Sequence, residues 1–218
     1  MGVPNYRRDG SAYAVEWGIA LARTSGGDSL YLLRQACEQL AALAADSCGR
    51  DLVVSVNIRA RQFDDPDFAD RVLRVLERTG VEPQRLRLEL TESVLVRDMN
   101  WTVARMDQLR EQGVTFALDD FGTGSSSLSH LARLPLDVLK SDQGFVRDVT
   151  GNAGNVAIAR TIIALVRSLD MQVLAAGVET AEVRAFLTDA GCDAFQGDFF
   201  GAPMPASGWL AEFRGSLG

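Results

Sequence analysis

Two adjacent carboxylates, Asp119 and Asp120, follow the apolar segment 115–118 and precede a run of glycine and serine residues. A buried strand that ends in acids and then a loop places oxygen ligands at the carboxyl edge of a barrel or sheet, where α/β enzymes hold metals and catalytic groups. The same residues could be solvated or could cap a helix, because Asp-Asp before Gly is also common turn chemistry. The pair alone leaves both interpretations open.

Six apolar segments repeat this layout, and each carries or precedes a polar side chain of a type used in catalysis. They are 52–58 with Asn57, 86–90 with Glu89, 115–118 with Asp119 and Asp120, 136–139 with Lys140 and Asp142, 172–176 with Glu179, and 194–195 with Gln196. Helical patterns lie between them, at 67–79, 98–113, 125–133, 153–169 and 181–190. This alternation predicts an α/β fold, a (β/α) barrel with its site at the C-terminal face. A Rossmann-type sheet is disfavoured, because no GxGxxG follows the first strand.

Composition favours one domain over residues 1–218. The chain is 47% hydrophobic and 23% charged, which suits a globular core. No segment reaches the ~20 apolar residues that span a bilayer, and the N terminus lacks a signal-peptide pattern. The three cysteines have no CxxC spacing and are interpreted as reduced thiols of a cytoplasmic domain. A net charge of −7 disfavours binding to DNA or RNA.

The order and spacing of several motifs resemble the EAL domain, the family of cyclic di-GMP phosphodiesterases and their inactive relatives. The matching stretches are VNI at 56–58, LELTES at 88–93, ALDDFGTG at 117–124, LPLDVLKSD at 134–142, GVET at 177–180, and GCD with QG between 191 and 197. The resemblance extends from about residue 28 to the C terminus and implies a single EAL-like domain in which 1–27 is a divergent N-terminal segment. It implies a TIM-like (β/α) barrel of the EAL type, with a shortened or altered N-terminal first strand and lobe.

The resemblance also implies a chemistry, hydrolysis of cyclic di-GMP to linear pGpG by two magnesium or manganese ions. By role, the matching positions are the metal ligands Asn57, Glu89, Asp119 and Asp120, the catalytic residues Lys140 and Glu179, and the ligand-binding residues Gln196 and Asp120. Lys140 matches the lysine that orients the attacking water.

Each of these residues also has a purely structural interpretation. Asn57 could cap a loop, and Glu89 could pair with Lys140 as a buried ion pair. Glu179 could be favoured by the dipole of a helix whose N-cap is Thr180.

Two departures from the family pattern bear on activity. Ala176 stands where the family has the first glutamate of V-A-E-G-V-E-T, which supports the metal-bound water, and a methyl group can neither bind metal nor accept a proton. The signature Glu-Ala-Leu is absent from the chain. One alignment makes 12–19 the first strand and places Glu16 at the signature position; the other lacks that strand. The first is favoured, because a barrel without the strand would expose an edge.

Three hypotheses follow. The favoured one is a degenerate EAL domain of bacterial cyclic di-GMP signalling, a receptor or protein-interaction module with little or no hydrolysis. The first alternative is an active metal-dependent phosphodiesterase in which Glu16 and a water replace the lost carboxylates. The second is a partner-binding domain that binds no nucleotide. Magnesium or manganese is expected only if metal binding is retained. The resemblance also implies a candidate homodimer interface at 125–133, although Ser125 stands where the family has Tyr, and a protein partner is a further expectation.

Overall fold

The computed structural model describes residues 3–7, 12–17, 29–44, 51–94, 98–121, 128–141, 143–147, 149 and 151–201. Within them, the strands form a closed barrel in sequence order. The strands are β1 Val3–Arg7, β2 Ala12–Trp17, β3 Val53–Ile58, β4 Leu86–Thr91, β5 Thr115–Phe121, β6 Val138–Ser141, β7 Gln172–Ala176 and β8 Ala194–Gln196. The predicted TIM-like barrel is therefore confirmed.

Helices follow most strands and cover the outside of the barrel. They are α1 Ser29–Ala44, α2 Ala60–Phe63, α3 Phe68–Thr79, α4 Met99–Arg110, α5 Leu128–Leu131, α6 Gln143–Arg147, α7 Ala153–Ser168 and α8 Ala181–Ala190, with 3-10 turns at Pro83–Arg85 and Glu92–Val94. In the described ranges, no helix has the length and apolarity needed to cross a bilayer.

The N-terminal strands close the barrel. Strands β2 to β8 are parallel neighbours, whereas β1 runs antiparallel to both β2 and β8. The sequence interpretation missed β1, because VPNYR contains a proline and no apolar alternation. β2 pairs with β3, with Glu16 opposite Ser55. The alignment that lacked a first strand is therefore wrong. The described strand ends at Trp17, and the predicted end at Ile19 lies outside the described residues.

Two strands, β5 and β6, differ from their predicted ranges by more than one residue. β5 continues through Phe121, so Asp119 and Asp120 lie in the last residues of the strand and not in the loop after it. β6 begins at Val138, two residues later than predicted. Pro135 cannot donate to a ladder, and the side chain of Asp137 accepts a hydrogen bond from the Phe116 N–H at 2.8 Å.

Capping residues set the helix ends. Asp98 accepts hydrogen bonds from Asn100 N and Trp101 N at the start of α4. Thr180 accepts from Val183 N at the start of α8, as the sequence predicted. Gly80 ends α3 with a φ of 67°, a left-handed conformation that costs glycine little.

The barrel interior is a small apolar cluster beneath the mouth. Its members are Ala117, Val138, Leu174, Ala176 and Ala194, with Val53 packed against them. Side chains alternate between the two faces of a strand, so the residue two positions further along also faces the interior. On β5, β6 and β8 those residues are Asp119, Lys140 and Gln196. These site residues therefore lie directly above the apolar cluster, at the C-terminal mouth of the barrel.

Candidate functional site at the barrel mouth

The predicted site residues lie at the carboxyl ends of neighbouring strands. Asn57 on β3 is directly opposite Glu89 on β4, and Thr91 at the end of β4 is opposite Asp119 on β5. Asn57 is exposed, whereas Glu89 is buried. The fold thus brings the amide and carboxylate oxygens of three adjacent strands to one edge of the barrel.

Lys140 joins two of the acids. Its Nζ lies 3.5 Å from Glu89 Oε2 and 3.5 Å from Asp119 Oδ1. The side chains of Lys140 and Glu89 are only 7% and 2% exposed. The structural alternative for Glu89, a buried ion pair with Lys140, is therefore present. Because an unpaired buried charge is costly, these ion pairs stabilise the three side chains in their positions.

Asp120 has an unusual backbone conformation. Its φ is 56°, in the left-handed region that few residues other than glycine adopt. Its N–H donates to Asp119 Oδ1 at 2.9 Å, which holds the neighbouring carboxylate. The pairing between β5 and β6 shifts between Leu118 and Phe121, so a bulge interrupts the ladder here. Bulges next to functional sites redirect side chains, and this one sets Asp120 apart from the regular strand alternation.

The loop after β7 packs closely on the end of β8. The Val178 N–H donates to the carbonyl of the buried Gln196 at 2.9 Å. Gly197 has a φ of 153°, and a Cβ there would overlap the backbone of Val178. Glu179, next in this loop, is exposed and immediately precedes Thr180, the N-cap of α8. Its placement agrees equally with a site residue and with a residue favoured by the helix dipole.

Ala176 occupies the last position of β7, opposite Gln196. The residue is 9% exposed and belongs to the apolar cluster inside the barrel. A methyl group therefore stands at the point of the mouth where the family resemblance implies a carboxylate. Two other predicted positions have no described side chain: Glu16, whose backbone lies in β2, and Asp142, which lies outside the described residues.

The donor types at the mouth fit a divalent cation, since carboxylate and amide oxygens are the ligands that magnesium and manganese prefer. Asn57, Glu89, Asp119 and Asp120 would hold it. Within the described part of the chain, however, no three acidic, histidine or cysteine side chains come close enough together to form a metal cluster. A bound ion would supply positive charge for a phosphate and lower the pKa of a water.

Two buried polar side chains inside the barrel escaped the sequence interpretation. Asn5 on β1 and Ser55 on β3 are both 0% exposed, and their side-chain atoms have no hydrogen-bond partner in the described structure. Only the pairing of β1 with β2, which the sequence did not predict, brings Asn5 to the interior. A buried water would satisfy such groups.

Comparison with known proteins identifies the family. The model of the EAL domain matches residues 27–203. The chain belongs to the EAL family. A relative from Pseudomonas aeruginosa, the bifunctional diguanylate cyclase/cyclic di-GMP phosphodiesterase MucR, is 41% identical over 182 residues, covering 84% of this chain and 26% of that protein. The chain spans about a quarter of the length of the curated relatives it matches.

Solved EAL structures share the barrel. The MucR phosphodiesterase in complex with cyclic di-GMP superposes with a TM-score of 0.85 at 34% identity, covering 96% of this chain and 92% of that one. The EAL domain of Mycobacterium smegmatis DcpA gives a TM-score of 0.90 at 32% identity, covering 98% and 94%. Klebsiella pneumoniae BlrP1, solved with manganese and cyclic di-GMP, gives 0.77 at 23% identity, covering 91% and 54%, which supports the fold alone.

Proposed function

We propose that this EAL domain binds cyclic di-GMP at the barrel mouth and hydrolyses it slowly or not at all, so that it acts as a receptor or regulatory module. The observation that carries the proposal is Ala176. Losing an acid or base group that handles the water typically costs about 10²–10⁴ in rate. The Glu-Ala-Leu signature, whose glutamate is a further metal ligand in the family pattern, is absent from this chain as well.

The charge at the mouth supports a role for a cation in binding. Lys140 supplies one positive charge, whereas Glu89, Asp119, Asp120 and Glu179 are all acids. A dianionic cyclic dinucleotide would meet net negative charge there unless a divalent ion reversed the local field. We therefore propose that Asn57, Glu89, Asp119 and Asp120 bind magnesium or manganese and that Gln196 and Asp120 contact the nucleotide.

We propose that Lys140 and Glu179 lie beside the phosphate of the bound nucleotide. We also propose that the domain lies in the cytoplasm, together with the nucleotide. The free thiols Cys37 and Cys192, both buried, support a reducing compartment. Lys140 orients groups near the phosphate by holding Glu89 and Asp119.

Two measurements on the same sample test this function. Calorimetry with cyclic di-GMP, with and without magnesium or manganese, should show binding that strengthens with the ion and is lost in Asp119→Ala. Chromatography of the same mixtures should show little pGpG. Rapid conversion to pGpG that Asp119→Ala abolishes would instead make the domain an active phosphodiesterase. Absence of heat under every condition would favour a domain that binds only a protein partner.

A further inference from the structure

A groove of about 640 Å³ lies between α1 and α3, on helices outside the barrel mouth. Its floor is apolar and is formed by Leu30, Ala41 and Val75, which pack against the core. Tyr31 stands at its edge and is 51% exposed. The floor therefore offers contact area to an apolar group from outside.

The rim of the groove is strongly basic. Four arginines and one glutamate line it: Arg34, Arg71, Arg74, Arg78 and Glu38. The whole chain has a net charge of −7, so this excess of positive charge runs against the overall balance. The groove is therefore a local positive field on an acidic protein, which attracts anionic groups.

The four arginines differ in whether the protein supplies an acidic partner for their guanidinium groups. Arg34 pairs with Glu38 at 3.3 Å, and Arg71 pairs with Asp65 at 3.1 Å. For the side chains of Arg74 and Arg78, the described residues provide no ion pair or hydrogen bond. These two residues are four apart on α3, where like charges repel each other and destabilise a helix. Two unpaired guanidinium groups thus point to an acidic partner.

The length of the groove distinguishes between anionic partners. On α1 the lining runs from Leu30 to Ala41, which at 1.5 Å per residue is roughly 16 Å. That distance is about three helical turns, far longer than one phosphate group. An apolar floor between charged rims fits an amphipathic segment, whose aliphatic side chains would cover the floor and whose carboxylates would meet the arginines.

We infer that the groove between α1 and α3 docks an acidic amphipathic segment of a partner protein. Arg74 and Arg78 bind its carboxylates through charge-assisted hydrogen bonds, and Leu30 and Val75 receive its apolar side chains. This interaction surface lies on helices α1 and α3, away from the strand ends, and its occupation does not depend on cyclic di-GMP.

Fluorescence anisotropy tests the inference with a defined probe. The probe is a labelled helical peptide of glutamate and leucine, about three turns long, with leucine at every third and fourth position. The control peptide carries glutamine in place of glutamate. Binding should be saturable, should weaken with salt, and should be at least about tenfold weaker for Arg74→Glu and Arg78→Glu, because reversal removes an attraction and adds a repulsion. Arg160→Glu changes an exposed arginine on α7 that lies outside the groove and contacts the Phe186 ring; this control should bind as the wild type does.

Each other outcome contradicts the inference. Equal affinity for the glutamine peptide would mean that the arginines do not select charge. An equal loss in Arg160→Glu would mean non-specific attraction. Sedimentation of the wild type and of Arg74→Glu tests whether a second copy of the chain occupies the groove. A wild-type dimer that dissociates in Arg74→Glu would assign the groove to that second copy. Calorimetry with cyclic di-GMP on the same variants should be unchanged, which separates a failure here from a failure of the proposed function.

Discussion

Replacing Lys140 by methionine removes the one positive charge from the buried group at the barrel mouth. The two side chains are similar in length, so the apolar stem is largely kept while the ammonium is lost. Glu89, which is 2% exposed, would then be a buried carboxylate without its lysine partner. We expect Lys140→Met to destabilise the fold strongly when no divalent cation is present.

The structure allows an estimate of the size of this effect. Each ammonium–carboxylate distance is 3.5 Å, and Coulomb's law at an effective dielectric constant of ~20 gives about 5 kcal/mol for one such pair. Desolvation of the lysine offsets part of that attraction in the native protein. Measured losses for breaking one side of a buried pair are roughly 3–5 kcal/mol, and we expect a value in that range.

Urea unfolding in the presence of a chelator measures the change, with two further variants as controls. Lys140→Met combined with Glu89→Gln should recover about 2 kcal/mol, because the second substitution removes one of the two carboxylate charges that face Lys140 in the wild type. Arg61→Met, an exposed arginine beyond β3, should stay within about 0.5 kcal/mol of the wild type. The reasoning is refuted if Lys140→Met is as stable as the wild type, or if the double variant is less stable than the single one.

Three further predictions concern the frame around the site. Gly197→Ala should lower the free energy of unfolding in urea by about 3 kcal/mol or more, because its Cβ would overlap the Val178 backbone. Gly201 has a similar φ of 151° but no atom within 4 Å of an added Cβ, so Gly201→Ala should cost clearly less. Equal losses would mean that backbone conformation alone matters. Thr180→Ala should cost about 1 kcal/mol through loss of the α8 cap, and an unchanged urea midpoint would contradict that role. Burial raises the pKa of the Cys192 thiol from 9.0 to about 12, so above pH 9 the unfolded chain loses a proton that the folded chain keeps. The free energy of unfolding should therefore fall by up to about 1.4 kcal/mol per pH unit relative to Cys192→Ala. Parallel pH profiles for the two proteins would contradict this prediction.

The strands β3 to β8 were predictable from the sequence because the same pattern, an apolar segment with a polar residue at its end, occurs in each of them. Apolar segments with polar residues at their ends predicted the barrel, and β7 at Gln172–Ala176 matches its predicted range. Asp119 and Lys140 follow neighbouring apolar segments, so their positions at the strand ends were enough to predict that they share one edge of the barrel.

Other features depend on contacts that no local pattern records. The strand β1 exists because β2 and β8 offer it open edges, although VPNYR has little strand character of its own. The bulge at Asp120 follows from the pairing of β5 with β6. The groove between α1 and α3 joins residues some 40 positions apart, and only the packing of the two helices brings their arginines together.

The most direct test of the account compares pGpG formation by the wild-type domain with that of Ala176→Glu, under saturating cyclic di-GMP and manganese. The substitution returns a carboxylate to the end of β7, opposite Gln196, where the account places the missing group. We predict a rate for the wild type near the background set by Asp119→Ala and an increase of about 10²-fold or more in Ala176→Glu, the range of a restored acid or base. Rapid hydrolysis by the wild type, unchanged or lowered in Ala176→Glu, would contradict the claim that Ala176 disables the site.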